Sequence, residues 1–113
     1  MRKVIALLLV AFAFAGLTAV GAGAATSTIK VSAGEFFFKF SKRSLAKPGT
    51  VVFVVKNVGH IAHDLKIAGK KTPLVQPGKS AKLKVVFKKG RFSYLCTVPG
   101  HAAAGMKGTF IVH

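Results

Sequence analysis

A cysteine, a histidine and a methionine are evenly spaced along one short segment near the C-terminus. His101 follows Cys96 by five positions, and Met106 follows His101 by five more. A thiolate, an imidazole and a thioether are donors that soft and borderline transition metals prefer. With a second imidazole they would complete a trigonal site with a long axial thioether, the donor set that holds copper in both oxidation states.

The second imidazole has to come from another part of the chain. Two candidates, His60 and His63, lie in a predicted loop between two predicted strands. His63 is preferred because it stands at the start of the predicted strand 64–67, where a rigid sheet could fix the ring. His60 lies earlier in the loop and remains the alternative. The predicted metal ligands are therefore His63, Cys96, His101 and Met106.

Each loop residue also has an ordinary structural explanation when it is taken alone. Met106 could be a core side chain, His101 a surface histidine and Cys96 an inert buried thiol. Their order and spacing within one loop favour a metal site over three coincidences. Cys96 is also the only cysteine, so no disulfide can form within the chain.

The composition argues against an enzyme. The chain has four histidines and only two carboxylates, Glu35 and Asp64. With two histidines assigned to the metal, too few remain for the further copper centres of a multicopper oxidase or a nitrite reductase. A Ser/His/Asp triad has almost no carboxylate to draw on, and no phosphate-binding glycine loop is present. We therefore predict a carrier without catalytic residues.

Short β-rich runs separated by turn residues follow position 25, and none has the period of a long helix. This pattern predicts an all-β domain, an antiparallel sandwich or barrel of about seven strands. The predicted strands are residues 28–31, 36–40, 50–56, 64–67, 81–87, 91–96 and 108–112.

Side-chain alternation assigns faces to several of these strands. In 81–87 the apolar residues face inward and Lys82 and Lys84 face water, whereas 51–55 is apolar on both faces and predicts a central strand. Residues 88–90, Lys-Lys-Gly, predict a tight hairpin between 81–87 and 91–96. Phe36, Phe38 and Phe40 are expected to share one face.

The N-terminus has the order of a secretory signal peptide: Arg2 and Lys3, an apolar run over residues 4–20, then small residues. Cleavage is predicted after Ala24, with Ala25 as a near alternative, which leaves one domain, residues 25–113. The alternative is an uncleaved membrane anchor, because the run approaches the length of a span. We predict export to the periplasm or the extracellular space, with membrane attachment if the segment is retained.

The net charge of the chain is +16, and it remains +14 without Arg2 and Lys3. Such an excess steers acidic partners or anionic surfaces toward the protein. We predict redox partners with acidic docking surfaces and, as a second candidate, an anionic membrane surface. No nucleic-acid partner is predicted, and the protein is expected to be monomeric. The lysines that alternate along a strand are explained simply by a solvated face.

The spacing of the candidate ligands resembles that of the cupredoxins, the small blue-copper proteins related to plastocyanin and azurin. The resemblance covers the whole domain after residue 24. The matching features are Cys96-x4-His101-x4-Met106, the following Gly108-x-Phe110 strand, and His63 after an Asn57-x-Gly59 turn.

The resemblance implies a Greek-key β-sandwich with one copper ion at one end, cycling between Cu(I) and Cu(II). In the family, the residue after the upstream histidine ties the two ligand loops together, which implies a hydrogen bond from Thr97 to Asp64. Small apolar residues around His101 are expected to leave an edge of its ring exposed as the exit for electrons.

The implied function is that of an exported type 1 copper protein that shuttles single electrons between partners of the cytochrome or oxidase type. Two alternatives remain from the residues alone. One is a non-redox copper carrier or chaperone of the same fold. The other is a metal-free basic β-sandwich that binds anionic surfaces.

Overall fold

The computed structural model describes residues 25–113, which contain nine strands and no helix. The predicted all-β class is therefore confirmed. The strands are β1 Thr26–Gly34, β2 Phe37–Phe40, β3 Ser44–Leu45, β4 Gly49–Asn57, β5 Lys66–Ile67, β6 Lys70–Lys71, β7 Ser80–Phe87, β8 Gly90–Leu95 and β9 Lys107–Val112. Seven of them correspond to the predicted strands. The additional two, β3 and β6, are two residues long and too short to show a periodic pattern.

The strands form two sheets that enclose the core. One has the order β2-β1-β4-β7 and the other β3-β9-β8-β5-β6. The expectation of a wholly antiparallel sandwich is wrong at two places, because β1 pairs in parallel with β4, and β3 with β9. After β2 the chain crosses to the second sheet as β3 and returns as β4, so β4 enters beside β1 in the same direction.

The side-chain faces of the long strands are as predicted. β4 lies between β1 and β7, and its residues Val51, Phe53 and Val55 are fully buried. In β7 the inward-facing positions 83, 85 and 87 are buried, while Lys82 and Lys84 are exposed. The two-residue period therefore reports correctly which side of each strand packs on the core.

The turn at Lys88 and Lys89 joins strands of different sheets and is not the predicted hairpin. β7 pairs with β4, whereas β8 pairs with β5 and β9. Turn residues indicate that a chain reverses but not where the next strand pairs. Here the rings of Phe87 and Phe92 pack with centroids 5.0 Å apart. The two strands thus face each other across the core, which buries the apolar side of each.

Phe53 lies at the centre of an aromatic cluster in the core between the two sheets. Its ring centroid lies 5.9 Å from Phe40, 6.0 Å from Phe87 and 5.6 Å from Phe110, at interplanar angles of 76° to 86°. Such edge-to-face arrangements are favoured by the ring quadrupoles. Phe40 and Phe87 lie in the same sheet as Phe53, whereas Phe110 belongs to β9, so the contact between Phe53 and Phe110 crosses between the sheets.

The predicted signal peptide, or membrane anchor, lies outside the described residues, and its cleavage site stays a prediction. Over residues 25–113 the structure contains no helix long and apolar enough to cross a membrane.

We expect Phe53→Ala to destabilise the metal-free domain by about 3–5 kcal/mol, because it removes a fully buried ring and leaves a cavity between the sheets. Val86→Ala is the matched control: Val86 is 73% exposed, so its truncation should cost less than about 0.5 kcal/mol. Chemical denaturation of the metal-free proteins measures both. A loss at Phe53 no larger than that at Val86 would contradict the assignment of the core.

Candidate metal centre

Three of the predicted ligands meet at one end of the sandwich. Nδ1 of His63 is 3.1 Å from Nδ1 of His101, and Sγ of Cys96 is 3.5 Å from Nδ1 of His101 and 4.0 Å from Nδ1 of His63. All three residues are buried, His63 completely and His101 to within 8%. Their donor atoms therefore converge on one shielded point.

These separations fit three donors that share a single ion. Bonds from zinc to nitrogen and to thiolate are about 2.0–2.3 Å long, so donors around an ion of this size stand roughly 3–4 Å apart. Burial raises the pKa of the Cys96 thiol. A metal cation is what would hold this buried sulfur as a thiolate. Two imidazoles and a thiolate are the equatorial donors that copper takes in sites of this kind.

Met106 is fully buried and is tied to both other ligands of its loop. Its amide donates to the His101 carbonyl, and its carbonyl accepts from the Cys96 amide, each at 3.1 Å. Cys96 directly follows β8 and Met106 directly precedes β9. The bond between Cys96 and Met106 therefore closes the loop at its base, and the bond between Met106 and His101 ties its second half together.

His63 is fixed by a bridge that lies ahead of β5. Its amide donates to the Val75 carbonyl at 3.2 Å, and its carbonyl accepts from the Val75 amide at 2.8 Å. The predicted strand 64–67 in fact begins at Lys66, so this bridge, not a strand start, holds the His63 backbone. His60 lies outside the cluster, with a side chain that is 96% exposed.

Asn57 shapes the loop that carries His63. Its side-chain oxygen accepts from the Gly59 amide at 2.7 Å, and its side-chain nitrogen donates to the carbonyls of Ile61 and Val75 at 2.7 and 2.8 Å. Asn57 is completely buried, so the backbone groups of the loop are satisfied from inside. The Asn-x-Gly turn of the sequence is thereby a structural support for the ligand.

Asp64 joins the two ligand loops as expected. Its carboxylate accepts from the Thr97 amide at 2.7 Å and from the Thr97 hydroxyl at 2.5 Å. Thr97 follows Cys96 and Asp64 follows His63, so the pair sets the distance between the two ligand backbones. The predicted hydrogen bond is confirmed, and it uses both carboxylate oxygens.

Sequence reasoning missed Glu35, whose carboxylate contacts a predicted ligand. Oε1 lies 2.8 Å from Nε2 of His63, and both carboxylate oxygens accept from the His60 amide at 3.0 Å. These hydrogen bonds, first that of His63 and then that of the His60 amide, lower the pKa of Glu35 from 4.5 to about 2. Glu35 is therefore an anion beside the site at any ordinary working pH.

The parallel pairing of β1 with β4 explains why Glu35 reaches this position. Ala33 is the register partner of Asn57, so the residues that follow both strands leave the sheet at the same end. Glu35 comes two positions after Ala33, and His60 three positions after Asn57. A signal in the sequence existed, since Glu35 is one of only two carboxylates, but it did not indicate a partner.

Phe36 covers the side of His101 that was expected to be exposed. The two rings meet edge to face with centroids 4.9 Å apart, and His101 is only 8% exposed while Phe36 is 39% exposed. The expectation of an edge-exposed imidazole is therefore wrong. Phe36 was also predicted to share one strand face with Phe38 and Phe40, but β2 begins one residue later, and Phe36 lies in the turn before it.

We expect His63→Ala to abolish tight copper binding and His60→Ala to leave it nearly unchanged. His63 carries a buried nitrogen aimed at the cluster, whereas the His60 ring is exposed and lies beside Glu35, outside the cluster. Copper titration of the two variants, read by the visible thiolate-to-copper band, checks this. Tight binding that survives in His63→Ala and is lost in His60→Ala would move the ligand to His60.

Comparison with known proteins places these features in a family. The model of the copper-binding proteins of the plastocyanin/azurin family matches residues 23–113. The copper-resistant cuproprotein CopI of Pseudomonas aeruginosa is 27% identical over 80% of this chain and 78% of its own length.

Two solved structures share the fold at low sequence identity. Auracyanin A, a blue copper protein of Chloroflexus aurantiacus, aligns with a TM-score of 0.65 at 20% identity, over 79% of this chain and 100% of that one. The dithionite-reduced auracyanin of Roseiflexus castenholzii aligns with a TM-score of 0.64 at 23% identity, over 80% and 99% of the two chains. Because the family match spans the whole described domain and the buried donors converge as copper requires, the chain belongs to the plastocyanin/azurin family of copper-binding proteins.

Proposed function

We propose that the protein is an exported type 1 copper protein that carries single electrons between redox partners, with His63, Cys96, His101 and Met106 as its ligands. The observation that carries the proposal is the closed donor set, in which two imidazoles and a thiol are buried together. Bound copper would supply one reversible electron through its Cu(I)/Cu(II) couple. Donors that are held in position before the metal binds need little rearrangement between the two states.

The chain contributes this rigidity through hydrogen bonds that do not depend on the metal. The Asp64–Thr97 pair holds the two ligand loops together, and the Met106 backbone bonds to Cys96 and His101. The Asn57 side chain supports the other loop from within the core. These contacts fix the donors, whose burial shields them from water.

An apolar collar around the site supports docking of a redox partner. Phe36 packs on His101, the Ile61 amide contacts Glu35, and Leu74 is adjacent to the Val75 bridge of His63. A small apolar surface near the metal suits the weak, short-lived interfaces of electron-transfer encounters. The exposed apolar residues of the collar are Phe36, Phe37, Val58, Ile61 and Leu74.

The charge of the chain favours an acidic partner around this collar. Both carboxylates of the sequence, Glu35 and Asp64, bind groups of the site, so the remaining surface of the described domain is dominated by lysine. We infer a partner of the cytochrome or oxidase type with an acidic docking face, and propose that the protein meets it outside the cytoplasm. An anionic membrane surface is the alternative ligand of the lysines.

A second candidate is a copper carrier that serves copper resistance without cycling electrons. It is favoured by the similarity to CopI, which is described as copper-resistant. An enzymatic role is not proposed, because two further histidines, His60 and His113, are too few for an additional copper centre. Reversible redox cycling at the site separates the electron carrier from the resistance carrier.

We expect the copper-loaded protein to show an intense thiolate-to-copper band and a reversible one-electron wave in voltammetry. Cys96→Ser should lose the band while the domain remains folded, because only the thiolate donor is removed. Visible spectroscopy and voltammetry of both proteins check this. A protein that binds copper tightly but is not reversibly oxidised and reduced would favour the resistance carrier.

Electron transfer to an acidic partner is expected to slow as ionic strength rises, since salt screens attraction beyond a Debye length of about 8 Å at physiological ionic strength. Ala103→Glu, in the exposed loop beside His101, should slow it further without altering the copper spectrum. Val86→Glu is the matched control, because it adds the same charge at the end of β7 that lies away from the ligand loops, and it should have a smaller effect. Stopped-flow rates that change neither with salt nor with Ala103→Glu would contradict docking at the collar.

A further inference from the structure

Both carboxylates of a very basic chain lie beside the metal-binding loops. The sequence has 18 lysines and arginines but only Glu35 and Asp64 as acids. Among residues 25–113 neither acid pairs with a lysine or an arginine, and Glu35 instead contacts the imidazoles of His60 and His63. Glu35 is thus distinguished by its contact with a predicted ligand rather than with one of the many cations of the chain.

The contact between Glu35 and His63 fixes where the proton of the imidazole lies. An ionised carboxylate has no proton to donate, so at 2.8 Å the Nε2 atom of His63 must carry the hydrogen and donate it. A neutral imidazole has one ring proton, which leaves Nδ1 with a free lone pair. That Nδ1 is the atom directed toward His101 and Cys96.

We propose that Glu35 is a positioning residue that holds His63 in the Nε2-protonated tautomer with Nδ1 directed at the metal, and that its charge favours Cu(II) over Cu(I). The proposal rests on His63 as a copper ligand in the function proposed above. A carboxylate bonded to the far nitrogen of a ligating imidazole orients the ring and raises its basicity. The same negative charge attracts the more highly charged ion more strongly.

The carboxylate of Glu35 is held in place by several hydrogen bonds. Besides His63, it accepts from the His60 amide at 3.0 Å and from the Ile61 amide at 3.4 Å, and its side chain is only 26% exposed. It also lies against the Cα atom of Gly59, where any Cβ would overlap it. Gly59 is therefore required for this arrangement by the close approach of Glu35.

Asp64 provides a comparison within the same site. Both of its oxygens bond to Thr97, and neither contacts an imidazole. Loss of its charge should loosen the two loops and lower the affinity for Cu(II) and Cu(I) alike. It should not change which nitrogen of His63 carries the proton. Glu35 differs because it acts through the ligand itself.

The first experiment reads the tautomer directly in the metal-free protein by ¹⁵N NMR of the histidine rings. Wild-type His63 should be protonated at Nε2. Glu35→Gln keeps an acceptor oxygen without the charge and should retain this tautomer, whereas Glu35→Ala should give a mixture of tautomers. Gly59→Ala, which displaces the carboxylate without removing it, should resemble Glu35→Ala. Wild-type His63 protonated at Nδ1, or an unchanged ring in Glu35→Ala, would overturn the positioning role.

The second experiment compares the affinities for Cu(II) and Cu(I) in competition with chelators of each ion. Glu35→Ala should lower the Cu(II) affinity by about 10–100-fold and the Cu(I) affinity by less. Glu35→Gln should shift the ratio of the two affinities in the same direction by a smaller factor. A merely looser loop would weaken both ions alike, so the ratio separates the two explanations.

Val86→Lys is the matched control for charge, because it adds the same single positive charge far from the site. It should leave the ratio of the two affinities at the wild-type value. A shift as large as that of Glu35→Gln would show that the effect of Glu35 arises from net charge alone. An unchanged ratio in Glu35→Ala would overturn the inference. If copper cycles reversibly in the wild type but this ratio does not move, only the inference fails. If wild-type copper does not cycle, electron carriage fails while the tautomer result stands.

Discussion

The convergence of three polar donors inside an apolar sandwich is the constraint on which the rest of the structure depends. The side chains of His63, Cys96 and His101 are buried, and a buried polar group that lacks a hydrogen-bond partner costs free energy. Their inner atoms face one another, and the outer nitrogen of His63 is satisfied by Glu35. A cation at their centre would relieve the remaining cost, so this arrangement favours metal binding and stability together.

Two carboxylate contacts convert the sheet scaffold into a site of defined size. Asp64 links the His63 loop to the loop that begins at Cys96, while Glu35 links the turn after β1 to the loop after β4. The segments that carry the donors are therefore joined by two separate sets of hydrogen bonds, one made by Asp64 and one by Glu35. Because each contact joins residues more than 20 positions apart, the geometry of the centre depends on the correct pairing of the whole sandwich.

Charge is distributed unevenly between the site and the rest of the surface. The two acids are occupied around the metal centre, and lysines cover the exposed faces of strands such as β7. The centre is thus locally more negative than its surroundings, which favours a metal cation there, and the lysine-rich surface is the basis of the acidic partner proposed above. Phe36 stands between these regions, since it packs on His101 and is partly exposed to solvent.

The sequence by itself determined the features that depend on local spacing. Alternation predicted the faces of β4 and β7, and the even spacing of Cys96, His101 and Met106 predicted three ligands of one loop, because both patterns are contained in a few consecutive residues. Tertiary structure alone decided the parallel pairing of β1 with β4, the crossing between sheets after Phe87, and the contact of Glu35 with His63. The physical reason is that a turn residue shows where a chain reverses, whereas the burial of both sheet faces decides which strand lies beside it, and so which distant side chain meets a ligand.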